Sequence, residues 1–216
     1  MAKEDGVVKF KAICAKSGHA LDERVLEELE AWRKILVEKG LLGKDSERYG
    51  GYAYGNVSQR IGLATALKGQ REFVITATQT SDIAHLTARQ YVIIVNYDAG
   101  NNQVVYEGYE KPSSEAMTHG SIYDQSSEIR CVFHVHSPII WKNRKKLGLP
   151  QTAENVAYGT PEMAHEVTRL FRETNVGKLG IFATAGHEDG VFSFGRTIKD
   201  ASEILLTYFE RAKEIK

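Results

Sequence analysis

Two cysteines in 216 residues leave no material for a disulfide framework. Cys14 and Cys131 stand far apart in the chain, which fits a reducing compartment. Net charge is lacking as well, since 28 Lys and Arg balance 28 Asp and Glu. Without a global basic field the chain has little with which to hold nucleic acid or an anionic membrane. The short basic run Lys142, Arg144, Lys145, Lys146 reads as a solvated turn. No apolar run approaches the roughly 18 residues that mark a membrane span, and residues 1–6 lack the apolar region of a signal peptide. Internal repeats and low-complexity tracts are missing too. These absences leave a soluble cytoplasmic protein, long enough for one sizeable domain, or at most two small ones, with a proper core.

What is present alternates between helical and strand patterning. The first ordered element expected is a helix over 22–39, with Leu26, Leu29, Arg33, Leu36 and Val37 on one stripe and Gly40 as its stop. Residues 49–62 hold four glycines and three tyrosines around Gly55-Asn56-Val57-Ser58. Such a cluster suits either a plain turn or close approach of backbone amides to a ligand. Strands are expected over 73–78 and 91–97, the latter turning into 103–109 as a hairpin. Pro112-Ser113-Ser114-Glu115 then opens a helix over 116–126, whose unpaired first N–H groups suit a phosphate or carboxylate. A strand over 129–136 follows, then a basic stretch at 141–149 and an irregular connection at 150–158. Thr160 caps a second helix that has Pro161 at its first position. Strands over 179–183 and 191–194 flank the loop 185–190, and a last helix runs from 199 to the end. The order suits a sheet covered by helices.

The strand at 129–136 carries the first chemistry. Side chains alternate along a strand, so Cys131, Phe133 and Val135 face one way and Val132, His134 and His136 the other. The two imidazoles stand about 6.6 Å apart along the strand, within reach of one ion at about 2.1 Å from each ring. A pair of core histidines bonded to backbone fits the spacing equally well. A catalytic zinc site wants a third protein ligand and an open position. His187 qualifies, in a loop bounded by Gly186 and Gly190. Glu115 at its helix start is a candidate ligand or base, or a solvated glutamate favoured by the helix dipole. His85, His119 and His165 look like ordinary positions with no metal role.

Taken in order, Gly55-Asn56-Val57-Ser58, Ile75-Thr76-Ala77-Thr78, Pro112-Ser113-Ser114-Glu115, His134-Val135-His136, Gly159-Thr160-Pro161-Glu162 and His187 resemble the class II aldolase/adducin family over residues 26–213, and in particular its fuculose-phosphate-aldolase-like zinc enzymes. The resemblance implies a single α/β (α+β) domain over 1–216 with a central mixed, largely antiparallel sheet flanked by helices. It makes His134, His136 and His187 the ligands of Zn2+, or of another divalent transition metal, and Glu115 the catalytic acid/base. Asn56, Thr78, Ser113 and Ser114 become the residues that hold a substrate phosphate. The implied activity is that of a lyase, a zinc-dependent aldolase. It would cleave or form a carbon–carbon bond in a sugar phosphate or related hydroxy-carbonyl compound, through a metal-stabilised enediolate. The implied assembly is a homotetramer. A dehydratase or epimerase on the same zinc site and a non-catalytic adducin-like interaction domain are the alternatives. Ser-Ser-Glu favours aldolase-like members over epimerases, which carry aspartate at that place, and the three histidines argue against the adducin-like role.

Three departures from the family pattern stand out. Gln79 occupies a place where the family has glycine, and its side chain is expected to narrow the phosphate pocket. The stretch 137–158 is short, so Tyr158 is the tyrosine proton-donor candidate by proximity alone. His187 is followed by Glu188-Asp189-Gly190 instead of glycine, which offers acids to bond groups around the site or to add negative potential.

Overall fold

The computed structural model describes residues 8–18 and 21–215; residues 1–6, read above for a signal peptide, and Lys216, the expected end of the last helix, lie outside them. In chain order the strands are β1 (Lys11–Ser17), β2 (Gly43–Lys44), β3 (Ala53–Tyr54), β4 (Asn56–Arg60), β5 (Phe73–Thr76), β6 (Tyr91–Asp98), β7 (Gln103–Gly108), β8 (Cys131–His136), β9 (Ile181–Ala183) and β10 (Gly190–Gly195). The helices are α1 (Glu27–Glu38), α2 (Ala116–Tyr123), α3 (Pro138–Asn143), α4 (Pro161–Glu173), α5 (Val176–Leu179) and α6 (Ile198–Lys213). Eight strands form one sheet in the order β1-β7-β6-β5-β4-β8-β10-β9, and β2 pairs with β3 separately. Within the large sheet β1 runs parallel to β7 and the other pairings are antiparallel. This is the mixed, largely antiparallel sheet flanked by helices that the sequence led us to expect.

Strand alternation divides the interior into two cores. On one face Val57, Val74, Cys131, Phe133 and Val135 pack with Leu29 and Leu36 of α1, Ile140 of α3 and Leu205 of α6. On the other, Phe73, Ile75, Val92, Val132 and Phe192 pack with Met117 and Ile122 of α2 and Val167 and Leu170 of α4. Strand β8 lies between β4 and β10, and all six of its side chains are buried. A side chain on β8 is therefore held by neighbours on both sides and by a helix layer above.

Several elements differ from expectation for identifiable reasons. The first described element is β1, not the helix. Its sequence, Lys-Ala-Ile-Cys-Ala-Lys-Ser, is mostly exposed at the sheet edge and shows no apolar alternation. The helix begins at Glu27, after a 3-10 turn at Glu23–Val25 where the Asp22 side chain accepts from the Arg24 N–H. Helix α3, which the sequence reading did not anticipate, runs into the basic stretch at 141–149; Ser137 accepts from the Ile140 N–H and Pro138 takes the first helical position. Helix α5 interrupts the expected strand at 179–183 and ends at Gly180, whose φ is +70°. Thr160 does precede α4, but its hydroxyl donates back to the Ala157 carbonyl and caps nothing.

Candidate functional site

Three elements converge at one end of β8. His134 lies beside Asn56 of β4 and Phe192 of β10 in the sheet register, and His136 beside Gly190. The β9–β10 loop carries His187 back over this strand end. Its glycines serve that path: a Cβ on Gly186 would meet the Val156 carbonyl oxygen at 2.2 Å, and one on Gly190 the Thr184 hydroxyl at 2.2 Å. The result is a buried group in which one nitrogen from each of His134, His136 and His187 lies within 4.8 Å of the others. It is the His, Cys, Asp and Glu group of this kind found among the described residues, and it leaves His85, His119 and His165 out.

This donor set fits a divalent transition metal. Imidazole nitrogen suits zinc and its neighbours, and three protein ligands leave a position open. Burial pushes the His136 pKa well down, and the nearby His187, His134 and Arg48 push it further. The ring is thereby kept neutral, as metal binding requires. Each ring is also braced by an aromatic neighbour. Phe192 stacks on His134 at 4.3 Å and 20°, with Phe182 stacked behind it at 5.2 Å. Tyr49 meets His136 edge to face at 4.4 Å, and Tyr158 tilts against His187 at 4.7 Å.

Glu115 is the residue immediately before α2 and is 1 % exposed. Thr118 donates to its Oε2 at 2.6 Å. Its Oε1 stands 3.3 Å from His187 Nδ1 and 3.9 Å from His134 Nε2. Burial pushes this carboxyl up, but the His187 and His134 imidazoles and the Thr118 hydroxyl outweigh it and hold the group below the usual carboxylate range. The reading of Glu115 as a solvated first-turn glutamate is thereby overturned.

One small pocket collects the predicted residues. Asn56, Thr78, Ser113, Ser114, Glu115, His134, His136 and His187 all line it, together with Tyr54, Gln79 and others. Among the described residues, no Lys or Arg lines it. The glycine- and tyrosine-rich stretch 49–62 holds a 3-10 turn and the strands β3 and β4 rather than one plain turn. Gly55, at φ +76°, makes the turn under His134, where a Cβ would meet Leu42 at 2.2 Å, and Asn56 already belongs to β4. Asn56 lines the pocket, is 5 % exposed, and its buried Oδ1 has no hydrogen-bond partner among the described residues. Thr78 is tied to the other wall, its N–H donating to the Lys111 carbonyl ahead of Ser113.

Gln79 sits at φ +58°, a conformation suited to glycine, and its side chain bonds the backbone of Ala53 on the rim. Its Oε1 accepts from the Ala53 N–H at 3.0 Å and its Nε2 donates to the Ala53 carbonyl at 3.4 Å. Tyr158 is buried against His187 and does not line the pocket. Glu188 is exposed, whereas Asp189 is buried and accepts from Tyr49 and Arg48. Sequence reasoning missed Arg48, Tyr49, Thr118 and Phe192. Only Thr118, one turn beyond Glu115, carries a spacing that would have found it.

Comparison with known proteins places this geometry. The family model for the Class II Aldolase and Adducin N-terminal domain matches residues 45–215. The L-fuculose-1-phosphate aldolase of Thermus thermophilus superposes with a TM-score of 0.64 at 20% identity, covering 89% of this chain and 92% of that one. YgbL of Escherichia coli, whose description leaves aldolase, epimerase and decarboxylase open, gives 0.66 at 16% identity over 89% and 88% of the two chains. A sugar-phosphate aldolase from Thermotoga maritima gives 0.61 at 16% identity over 88% and 92%. At these identities the solved structures establish the shared fold.

Proposed function

Because this chain belongs to the class II aldolase and adducin family, we propose that it is a metal-dependent lyase of the aldolase type, cleaving or forming a carbon–carbon bond in a sugar phosphate or related hydroxy-carbonyl compound. The observation that carries the reading is the meeting of three imidazoles and one ionised, buried carboxylate at the wall of a single pocket. Zinc is the proposed ion, with another divalent transition metal as the alternative, and His134, His136 and His187 are its proposed ligands. When bound, the ion supplies Lewis-acid polarisation of substrate oxygens and a counter-charge for the electrons left by bond cleavage.

The chain's own residues divide the remaining work. Glu115 is the proposed acid/base. Thr118 occupies Oε2, so Oε1 is the atom left to take a proton from a substrate hydroxyl or carbon and return it. Asn56, Thr78, Ser113 and Ser114 are the proposed seats for the far, phosphorylated end of the substrate. With no Lys or Arg among the described lining residues, neutral donors and the N-terminus of α2 are the proposed anion partners. Phe192 excludes water behind His134. Residues 1–216 are proposed to act as one cytoplasmic domain, assembled as a homotetramer.

The test is a screen of zinc-loaded protein for retro-aldol cleavage of phosphorylated ketoses and ketopentoses, with the Glu115→Gln variant as control. Carbonyl products formed by wild type and not by the variant are expected. Loss of water or inversion at one carbon, with no cleavage, would move the protein to the dehydratases or epimerases. Zinc bound without turnover of any of these compounds would favour a binding role.

A further inference from the structure

A metal-binding imidazole is ordinarily oriented by a hydrogen bond to its other ring nitrogen. The buried Nδ1 of His136 has no hydrogen-bond partner among the described residues, so no bond from that nitrogen orients the ring. Packing has to do the orienting instead. The neighbours that supply it are Tyr49, edge to face at 4.4 Å and 78°, and Tyr54 at 5.4 Å and 38°.

Tyr49 is itself fixed from outside the pocket. Its hydroxyl donates to Asp189 Oδ2 at 2.7 Å, and Arg48 donates to the same oxygen at 2.8 Å. Arg48 also bonds the phenol oxygen, and its guanidinium lies 4.7 Å from the centre of the Tyr49 ring. Asp189 is 4 % exposed and stands two residues after His187. Its backbone carbonyl accepts from the N–H of Ser137, the residue after His136. Asp189 thus touches the His136 strand end through its backbone, the His187 loop through the chain, and Tyr49 through its side chain.

The backbone adds an independent sign. Tyr49 and Asp189 are two of the four non-glycine residues with positive φ among the described residues, at +52° and +60°. Glycine would adopt either conformation without strain. A side chain that persists at such a position is held there by its surroundings, and strain of this kind gathers at functional sites. Here the two strained residues are each other's hydrogen-bond partners.

We propose that Tyr49 is a positioning residue for His136, and that the Arg48–Tyr49–Asp189 cluster keeps His136 and His187 in register to share one metal ion. The inference rests on the three-histidine site being a metal centre. Its test compares zinc dissociation constants, measured by competition with a chromophoric chelator, for wild type, Tyr49→Phe and Tyr49→Leu. The visible absorption of the cobalt-substituted proteins and the melting temperature of each apoprotein are measured alongside. Tyr49→Leu is expected to bind zinc about 10- to 100-fold more weakly and to shift the cobalt bands. Tyr49→Phe, which keeps the ring and loses the tether, is expected to fall between Tyr49→Leu and wild type and to restore most of the spectrum. A folded Tyr49→Leu protein with wild-type affinity and an unchanged cobalt spectrum would overturn the proposal. If Tyr49→Leu does not fold, Tyr49→Phe decides: weaker binding than wild type supports the assignment and equal binding overturns it. Wild-type protein that binds no zinc at all would remove the metal centre itself, an outcome distinct from unaltered binding in the variants.

Discussion

Two buried glutamates, Glu30 and Glu115, sit in the same protein under opposite regimes. Glu30 of α1 is held by fixed donors: it accepts from Arg33 at 2.6 and 2.9 Å, from the Leu86 N–H at 3.0 Å and from the Tyr91 hydroxyl at 2.8 Å, with the exposed His85 ring 3.4 Å from its Oε1. The Nη2 of Arg33 also donates to the Ile83 and Ala84 carbonyls. Glu115 is open: one hydroxyl on Oε2, two imidazoles near Oε1, and a pocket in front. Both carboxyls are held below their ordinary pKa against the cost of burial. The difference lies in what supplies the donors. Around Glu30 they are permanent partners that tie α1 to the 83–91 segment, whereas around Glu115 they are imidazoles suited to receiving a cation. The first arrangement stabilises the fold, and the second leaves room for chemistry.

The sharpest way to separate the two is to remove each carboxylate. Glu115→Gln is expected to lower kcat by about 10²- to 10⁴-fold, the usual contribution of a positioned acid/base, with metal content unchanged by elemental analysis. Glu30→Ala should do the reverse. It strands the Arg33 guanidinium in the interior, for an expected loss of about 3–5 kcal/mol in urea unfolding, while the folded fraction keeps wild-type turnover. Comparable activity losses in both variants would erase the distinction.

The pH dependence of stability gives a smaller but signed effect. Burial pushes the Glu30 carboxyl up, and Arg33, the Leu86 N–H and Tyr91 together pull it below its ordinary value. A depressed carboxyl contributes stability fully above its unfolded pKa of about 4.3, lost as pH falls through the lower folded value. The stability gap between wild type and Glu30→Gln should therefore be widest near neutrality and close in acid, read from urea midpoints between about pH 7 and pH 3. A gap that widens in acid would reverse the assignment.

The smallest effect concerns the pocket rim. Gln79→Gly relieves a positive φ and gives up two bonds to Ala53. The two should nearly cancel, within about 1 kcal/mol. Opening the rim is expected to lower KM for a phosphorylated substrate and to leave a non-phosphorylated one unchanged. Equal KM values for wild type and Gln79→Gly on the phosphorylated substrate would remove Gln79 from specificity.

The parts of this account that the sequence made visible are those with short local patterns. Strand alternation put His134 and His136 on one face, and flanking glycines marked the loop of His187. The hairpin of β6 and β7 and the Pro161 start of α4 were equally plain. Hidden were features decided by distant packing. Edge strand β1 has no apolar face because its pairing with β7 is backbone work at an exposed edge. Tyr49 and Asp189 lie 140 residues apart and meet only in the fold. The positive φ of Gln79 has no signature in a glutamine, and Phe192 reads as one more core aromatic until its ring is seen on His134.

The central claim is that His134, His136 and His187 together hold one metal ion, and elemental analysis of purified protein with zinc titration of the apoprotein tests it most directly. The account predicts about one zinc per chain in wild type and its loss in both His134→Ala and His187→Ala, since a site built from three protein ligands is left with two. Full metal content in both variants, or none in wild type under saturating zinc, would contradict it.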